Sequence, residues 1–463
     1  MSNLFRKIPA VNELLEKEPL QRLSDRVSRT VVVSGVREFL DRLRTDVSSA
    51  ASEIPTPAEL AERIAAWIAQ AEQPALCPVI NATGIVLHTG LGRAPLAAEA
   101  IEAIARVGSG YASVEVDLAE AKRSERTQAV EKNLRRLTGA PAATVVNNNA
   151  GATFLALTAI GRGREVIVSR GQLVEIGGSF RLPEVMESGG VRLREVGTTN
   201  KTRIEDYAKA ISDETAALMR VHTSNYVIRG FTQDVGIEEL VALGRERSLP
   251  VIDDVGSGAL WDFSKYGVEG EPLVADSVRA GADVVLFSGD KLLGGPQCGI
   301  IVGSREPVEA IKRHPLARAL RVDKVTLAAL DATLQLYLDP EKAEQRLPLL
   351  RLLSTPLENL RFRAEQMAPQ IAATEGVASA EVVESAAYLG GGSVPGQEIP
   401  TYCIAVTPAS GSVDELSRRL RTATPAVYGR IQQDRLLIDL RTVFVDQDQR
   451  ILEAFEGLGN EKA

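Results

Sequence analysis

From about Val79 onward, short apolar runs alternate with amphipathic helical stretches, and this alternation restricts the fold more than any other feature. The runs "ATVVNNN", "EVIVSR", "VRLREVG", "AALMRVH", "PVIDDVG" and "DVVLFSG" read as strands, with helical patterns such as "IEELVALGRER" between them. Strands spaced by helices argue for an α/β fold with a mostly parallel, doubly wound sheet, whose ligands lie beyond the carboxyl ends of the strands. A chain of 463 residues exceeds one ordinary core. The expected division is a helical N-terminal domain over residues 1–57, a linker helix over 58–78, a large α/β domain over 79–338 and a small α+β domain over 339–463. "SSAASEIPTP" reads as the linker before the helix "AELAERIAAWIAQAE", and the Gly-rich "YLGGGSVPGQEIP" as a connecting loop.

Charge and cysteine content narrow the function. The formal charge is −8, so no global basic field recruits nucleic acid, and any RNA contact must be local. Residues 1–45 hold nine Lys or Arg against six Asp or Glu, a basic segment that serves as an RNA contact or as a solvated or oligomer-contacting helical face. Three separated cysteines, Cys77, Cys298 and Cys403, fit a reducing compartment, give no disulfide framework and form no metal-ligating pair. The opening "MSNLFRKIPAVNELLEKEPL" lacks a signal-peptide core and no apolar run is long enough to span a bilayer, so the expected location is the cytoplasm.

The chemistry concentrates at strand ends. In "VVLFSGDKLLGGPQCGIIVG", Lys291 follows a fully apolar strand and precedes a glycine pair. Apolar surroundings lower a lysine's pKa and make it a usable amine nucleophile, including for a Schiff base; otherwise it is a solvated loop lysine. Asp254, about 37 residues earlier, ends another strand and could pair with a protonated pyridine nitrogen, with Asp253 as its rival because alternation sends the two to opposite faces. Asn148, Asn149 and Ala150 open a helix whose N-terminus could hold a phosphate, and Ser288 could add a hydroxyl. His222 closes another strand, either against a cofactor ring or as a structural histidine, and Asp290 stands beside the lysine.

The segments "VVNNNA", "VIVSRGQLVEIGGSFRLPEVMESGG", "EVGTTNKT", "RVHTSNYVIRGF", "SGDKLLGGPQCGIIVG" and "HPLARALRVDK" closely resemble bacterial selenocysteine synthase, L-seryl-tRNA(Sec) selenium transferase. The resemblance is dense from about Val79 to Leu338 and looser over the N-terminal segment. It implies a fold type I pyridoxal 5'-phosphate enzyme with Lys291 as Schiff-base lysine, forming a decameric ring of dimers whose N-terminal domain grips tRNA(Sec) charged with serine. The implied reaction converts the seryl group through a dehydroalanyl intermediate, with selenophosphate as donor and Lys291, Asp290 and Arg126 as catalytic residues. It also implies that Arg93, Arg318 and Arg321 bind the donor anion, a task suited to the paired donors of a guanidinium; apart from the resemblance these arginines read as surface charge. The family commonly shows glycines in G-x-R-G-x-R, where this chain has Ala121 and Ser124 ahead of Arg123 and Arg126. Cys298 reads as packing. The competing readings are a pyridoxal phosphate lyase acting on a free amino acid or amino sugar, and an inactive tRNA-binding scaffold.

Overall fold

The computed structural model describes residues 8–49, 55–72, 74, 76–176, 180–390 and 397–462. Residues 50–54 of the linker "SSAASEIPTP" and 391–396 of the loop "YLGGGSVPGQEIP" lie outside the described residues. The chain forms two compact units, residues 1–78 and 79–463.

The first unit is helical. Helices Val11–Leu15, Glu18–Arg26, Arg29–Ser49 and Pro57–Ala71 share one apolar core. Leu14, Leu20, Val32, Val36 and Leu40 recur at helical spacing and pack with Leu60, Ile64 and Ile68. Thr56 and Glu59 cap the fourth helix reciprocally and Pro57 opens it, which fixes its start. The helix expected to be a linker over 58–78 is therefore part of this bundle, because its buried stripe of Leu60, Ala61, Ile64 and Ile68 completes the core.

The second unit is built on the expected mostly parallel sheet. Its seven strands run in the order Ala142–Val146, Gly299–Gly303, Val284–Ser288, Val251–Gly256, Thr215–Val221, Glu165–Ser169, Arg192–Val196. Gly299–Gly303 is antiparallel to both neighbours and the other pairings are parallel. Alternate residues enter separate cores on the two faces: Val285 and Phe287 on one, Val284 and Leu286 on the other. That two-sided burial is why the strands read as unbroken apolar runs rather than alternating ones.

A second, five-stranded sheet runs Val79–Ala82, Ala426–Gln432, Arg435–Asp439, Ile399–Pro408, Val377–Ala387. Val79–Ala82 pairs in parallel with Ala426–Gln432, so the start of the expected large domain is an edge strand of the small sheet. Helix Leu357–Ala372 supplies Leu360, Ala364, Met367 and Ile371 to this sheet's own core. Among the described residues no helix is long and apolar enough to cross a membrane.

Candidate active site

Lys291 lies three residues beyond the strand Val284–Ser288, in a turn braced by the neighbouring strand's continuation: Leu292 N–H donates to the Ser257 carbonyl at 3.0 Å. Gly258, at φ +76°, passes so close that a Cβ there would lie 2.6 Å from the Ser288 carbonyl oxygen. Only glycine satisfies both the positive φ and that approach. Lys291 itself is 6% exposed. Burial pushes its amine below the ordinary value of 10.5 and the Arg93 charge adds to the effect, while Asp254, Asp290 and Glu271 oppose it.

Arg93, Asn148, Asn149, Ala150, His222, Asp254, Ser288 and Lys291 line one cavity of about 330 Å³, a size typical of small-molecule sites. Strand alternation assigns the two aspartates. Asp253 lies directly opposite Arg220 of the adjacent strand, which grips both its oxygens at 2.8 and 2.7 Å. Asp254 turns to the other face, where Asn149 Nδ2 donates at 2.9 Å and Thr153 Oγ1 at 2.8 Å. Burial raises the Asp254 pKa above its ordinary 3.8, with these hydrogen bonds and the Lys291 charge pulling the other way. The helix Asn149–Gly161 is capped by Asn148, whose side chain accepts from Gly151 N–H at 2.8 Å.

Asp290 is joined to the cavity through Arg93, whose Nη1 donates to Asp290 Oδ2 at 2.7 Å. Arg93 has φ +62°, a conformation uncommon for a side-chain-bearing residue. His222 Nε2 stands 3.5 Å from Glu271 Oε1. Thr153 and Glu271 were absent from the sequence reading; Thr153 follows Asn149 by four residues on one helix, so it shares that residue's face and could have been found. Glu271 carried no comparable local signal.

The other arginines lie elsewhere in the chain. Arg126, Arg318 and Arg321 line a separate cavity of about 410 Å³, together with Glu115, Arg123 and Lys312. Arg126 donates to Glu115 Oε1 from Nη2 at 2.8 Å and to the Val322 carbonyl from Nη1 at 3.2 Å. Lys312 is ion-paired with Glu125, Glu131 and Glu309, which ties the loop carrying Arg126 to helix Arg305–Arg313. Within one chain the structure thus groups Arg93 with Lys291 and sets the other three arginines apart. Ala121, in the glycine-poor loop, takes φ +51°. Cys298 is buried against Gly289 and burial pushes its thiol pKa far up, consistent with packing.

Comparison with known proteins follows the same division. Residues 79–444 match the family L-seryl-tRNA selenium transferase, and residues 5–44 match Selenocysteine synthase N terminal. An L-seryl-tRNA(Sec) selenium transferase of Carboxydothermus hydrogenoformans is 48% identical over 459 residues, covering 98% of each chain. Those of Moorella thermoacetica and Geobacter sulfurreducens are 47% and 46% identical, covering 98% and 99% of this chain and 96% and 100% of their own. Among solved structures, a D-glucosaminate-6-phosphate ammonia-lyase superposes with a TM-score of 0.58 at 23% identity, covering 83% of this chain and 96% of its own, which is a likeness of fold. With its sheet, its N-terminal segment and nearly its whole length matched, the chain belongs to the L-seryl-tRNA selenium transferase family.

Proposed function

We propose that this chain converts L-seryl-tRNA(Sec) to L-selenocysteinyl-tRNA(Sec), with selenophosphate as selenium donor and pyridoxal 5'-phosphate held in the Lys291 cavity. The observation that carries the reading is the meeting of Lys291, Asp254 and Asn149 in one cavity of a chain from this family.

The residues fit the cofactor. Asn149 Oδ1 and Arg93 Nε are buried at the cavity without a hydrogen-bond partner among the described residues, so a polar ligand there would satisfy groups that are otherwise costly to bury. Asp254 would face the pyridine nitrogen, the first turn of helix Asn149–Gly161 and Ser288 would take the phosphate, and His222 would lie against the ring. When bound, pyridoxal phosphate supplies an electron sink for charge left at the serine Cα.

The chain's own groups do the rest. Lys291, with its amine pKa lowered by burial, takes the serine Cα proton at Nζ as general base. The Asp254 carboxylate, fixed by Asn149 and Thr153, holds a proton at the ring nitrogen. Asp290, oriented by Arg93, positions the seryl hydroxyl that leaves as water. Arg126, Arg318 and Arg321 hold the donor anion through charge-assisted hydrogen bonds. Because they line a different cavity from Lys291, the reading requires a homo-oligomer in which one protomer brings its arginines to another's lysine, and the family resemblance implies that this oligomer is a decameric ring of dimers. The basic N-terminal helices bind tRNA(Sec).

The test is to incubate the cofactor-loaded protein with selenophosphate and either seryl-tRNA(Sec) or free serine, then identify the product. Selenocysteine esterified to tRNA, with free serine unchanged, supports the reading. Turnover of free serine alone refutes it.

A further inference from the structure

Three carboxylates line the cavity proposed to seat the donor anion; Glu125 and Glu309 are ion-paired with Lys312, and Glu115 faces the arginines. Glu115 accepts from Arg126 Nε and Nη2 at 3.1 and 2.8 Å, accepts from Arg123 Nη2 at 3.0 Å, and stands 3.9 Å from Arg321 Nη1. One acidic side chain thus faces three guanidiniums, the donor geometry that an oxyanion would meet. Its side chain is 30% exposed, so it is not locked in by packing.

The backbone around Glu115 is also suited to movement. Glu115 immediately precedes a two-stranded ribbon in which Val116–Asp117 pairs with Lys122–Arg123, and its own carbonyl accepts from Ser124 N–H at 3.0 Å. The ribbon's turn holds Ala121 at φ +51° and presents Leu118 at 78% exposure. A ribbon of two residue pairs with little buried apolar surface opens at low cost. Glu115 sits at its base, immediately before Val116.

We propose that Glu115 is an internal stand-in for the donor anion: it keeps Arg126, Arg123 and Arg321 converged on the seat while the seat is empty, and an incoming phosphate-like oxyanion displaces it. Glu115 is thereby a specificity-determining residue. Any anion must compete with a tethered carboxylate for the same guanidiniums, so a monoanion that makes one charge-assisted bond is rejected, whereas a dianionic oxyanion that spans several guanidiniums wins. The converged arginines need no costly rearrangement as positive charge collects, because Glu115 balances them until the exchange. The inference rests on the donor-anion reading of this cavity and deepens it.

The experiment is calorimetric titration of inorganic phosphate into cofactor-loaded protein, where the cofactor fills the competing phosphate position in the Lys291 cavity. Wild type, Glu115→Gln and Glu115→Gln with Arg126→Gln are compared. Glutamine keeps the length and an acceptor oxygen but not the charge. The expected result is roughly tenfold tighter phosphate binding by Glu115→Gln, about the worth of one charge-assisted hydrogen bond, with the gain abolished by the added Arg126→Gln. The KM for selenophosphate should fall in parallel. Equal or weaker phosphate binding by Glu115→Gln overturns the stand-in role while leaving the cavity an anion site. Failure of both wild type and Glu115→Gln to bind millimolar phosphate overturns the donor-anion reading and this inference with it.

Discussion

Asp253 and Asp254 are adjacent on one strand, yet Arg220 clamps the first and Asn149 with Thr153 holds the second at the Lys291 cavity. One carboxylate is tied to Arg220 and the other lines the cavity. The division follows from the pleat: Val251 and Val255, on the Asp253 side, enter one core, and Ile252, on the Asp254 side, enters the other.

Removing Arg220 should therefore cost stability rather than a catalytic group. Asp253 is fully buried, so Arg220→Met strands a charge in the core. The expected loss is about 3–5 kcal/mol in urea unfolding. A loss below about 1 kcal/mol would mean that water or another cation reaches Asp253.

Asp254 carries a pH signature. Its folded-state pKa is raised above 3.8, chiefly by burial. The folded chain then binds more protons than the unfolded one as pH climbs past that value, so the cofactor-free protein loses stability with rising pH until the folded-state pKa is passed, and then levels off. Asp254→Asn cannot titrate. Its stability relative to wild type, from urea titrations between pH 4 and 8, should improve as pH rises; a constant difference would contradict the assignment.

Gly35 lies where two helices of the N-terminal unit meet. A Cβ there would stand 2.6 Å from Ile68 Cγ1 and 2.7 Å from its Cδ1, and Ile68 is itself core. Overpacking by Gly35→Ala, about 1–3 kcal/mol, should outweigh the roughly 1 kcal/mol gain in helix propensity. Hydrogen exchange should quicken in helices Arg29–Ser49 and Pro57–Ala71 but not in strand Val284–Ser288, and tRNA(Sec) affinity should drop. Quickened exchange in both units would show that the effect is not local.

Ala121→Gly should act in the opposite sense. A left-handed alanine costs about 1–2 kcal/mol, of which glycine's extra freedom when unfolded returns roughly half. A rise in Tm is expected; a fall would show that Ala121 has packing that its exposed position does not suggest.

Much of the sheet was legible because its strands are buried on both faces and read as unbroken apolar runs. All six of the strands named from sequence are present. The seventh, Gly299–Gly303, was not named, because it follows its neighbour through a turn with no intervening helix to set it off. The pairing of Val79–Ala82 with Ala426–Gln432 joins segments far apart in sequence, and four residues carry no signal for so distant a partner. The placement of candidate groups was legible where one strand end supplies them, as at Lys291 and Asp254. It was not legible where a tertiary neighbour decides the role: alternation said that Asp253 and Asp254 diverge, and only Arg220 opposite Asp253 says which goes where.

The central claim is that Lys291 is the cofactor amine. The direct measurement is borohydride reduction of the protein loaded with pyridoxal phosphate, followed by proteolysis and mass spectrometry of the labelled peptide. A single reduced adduct on Lys291 is expected in the wild-type protein, and none at that position in Lys291→Ala. An adduct on another lysine of the wild-type protein, with Lys291 unmodified, would contradict it.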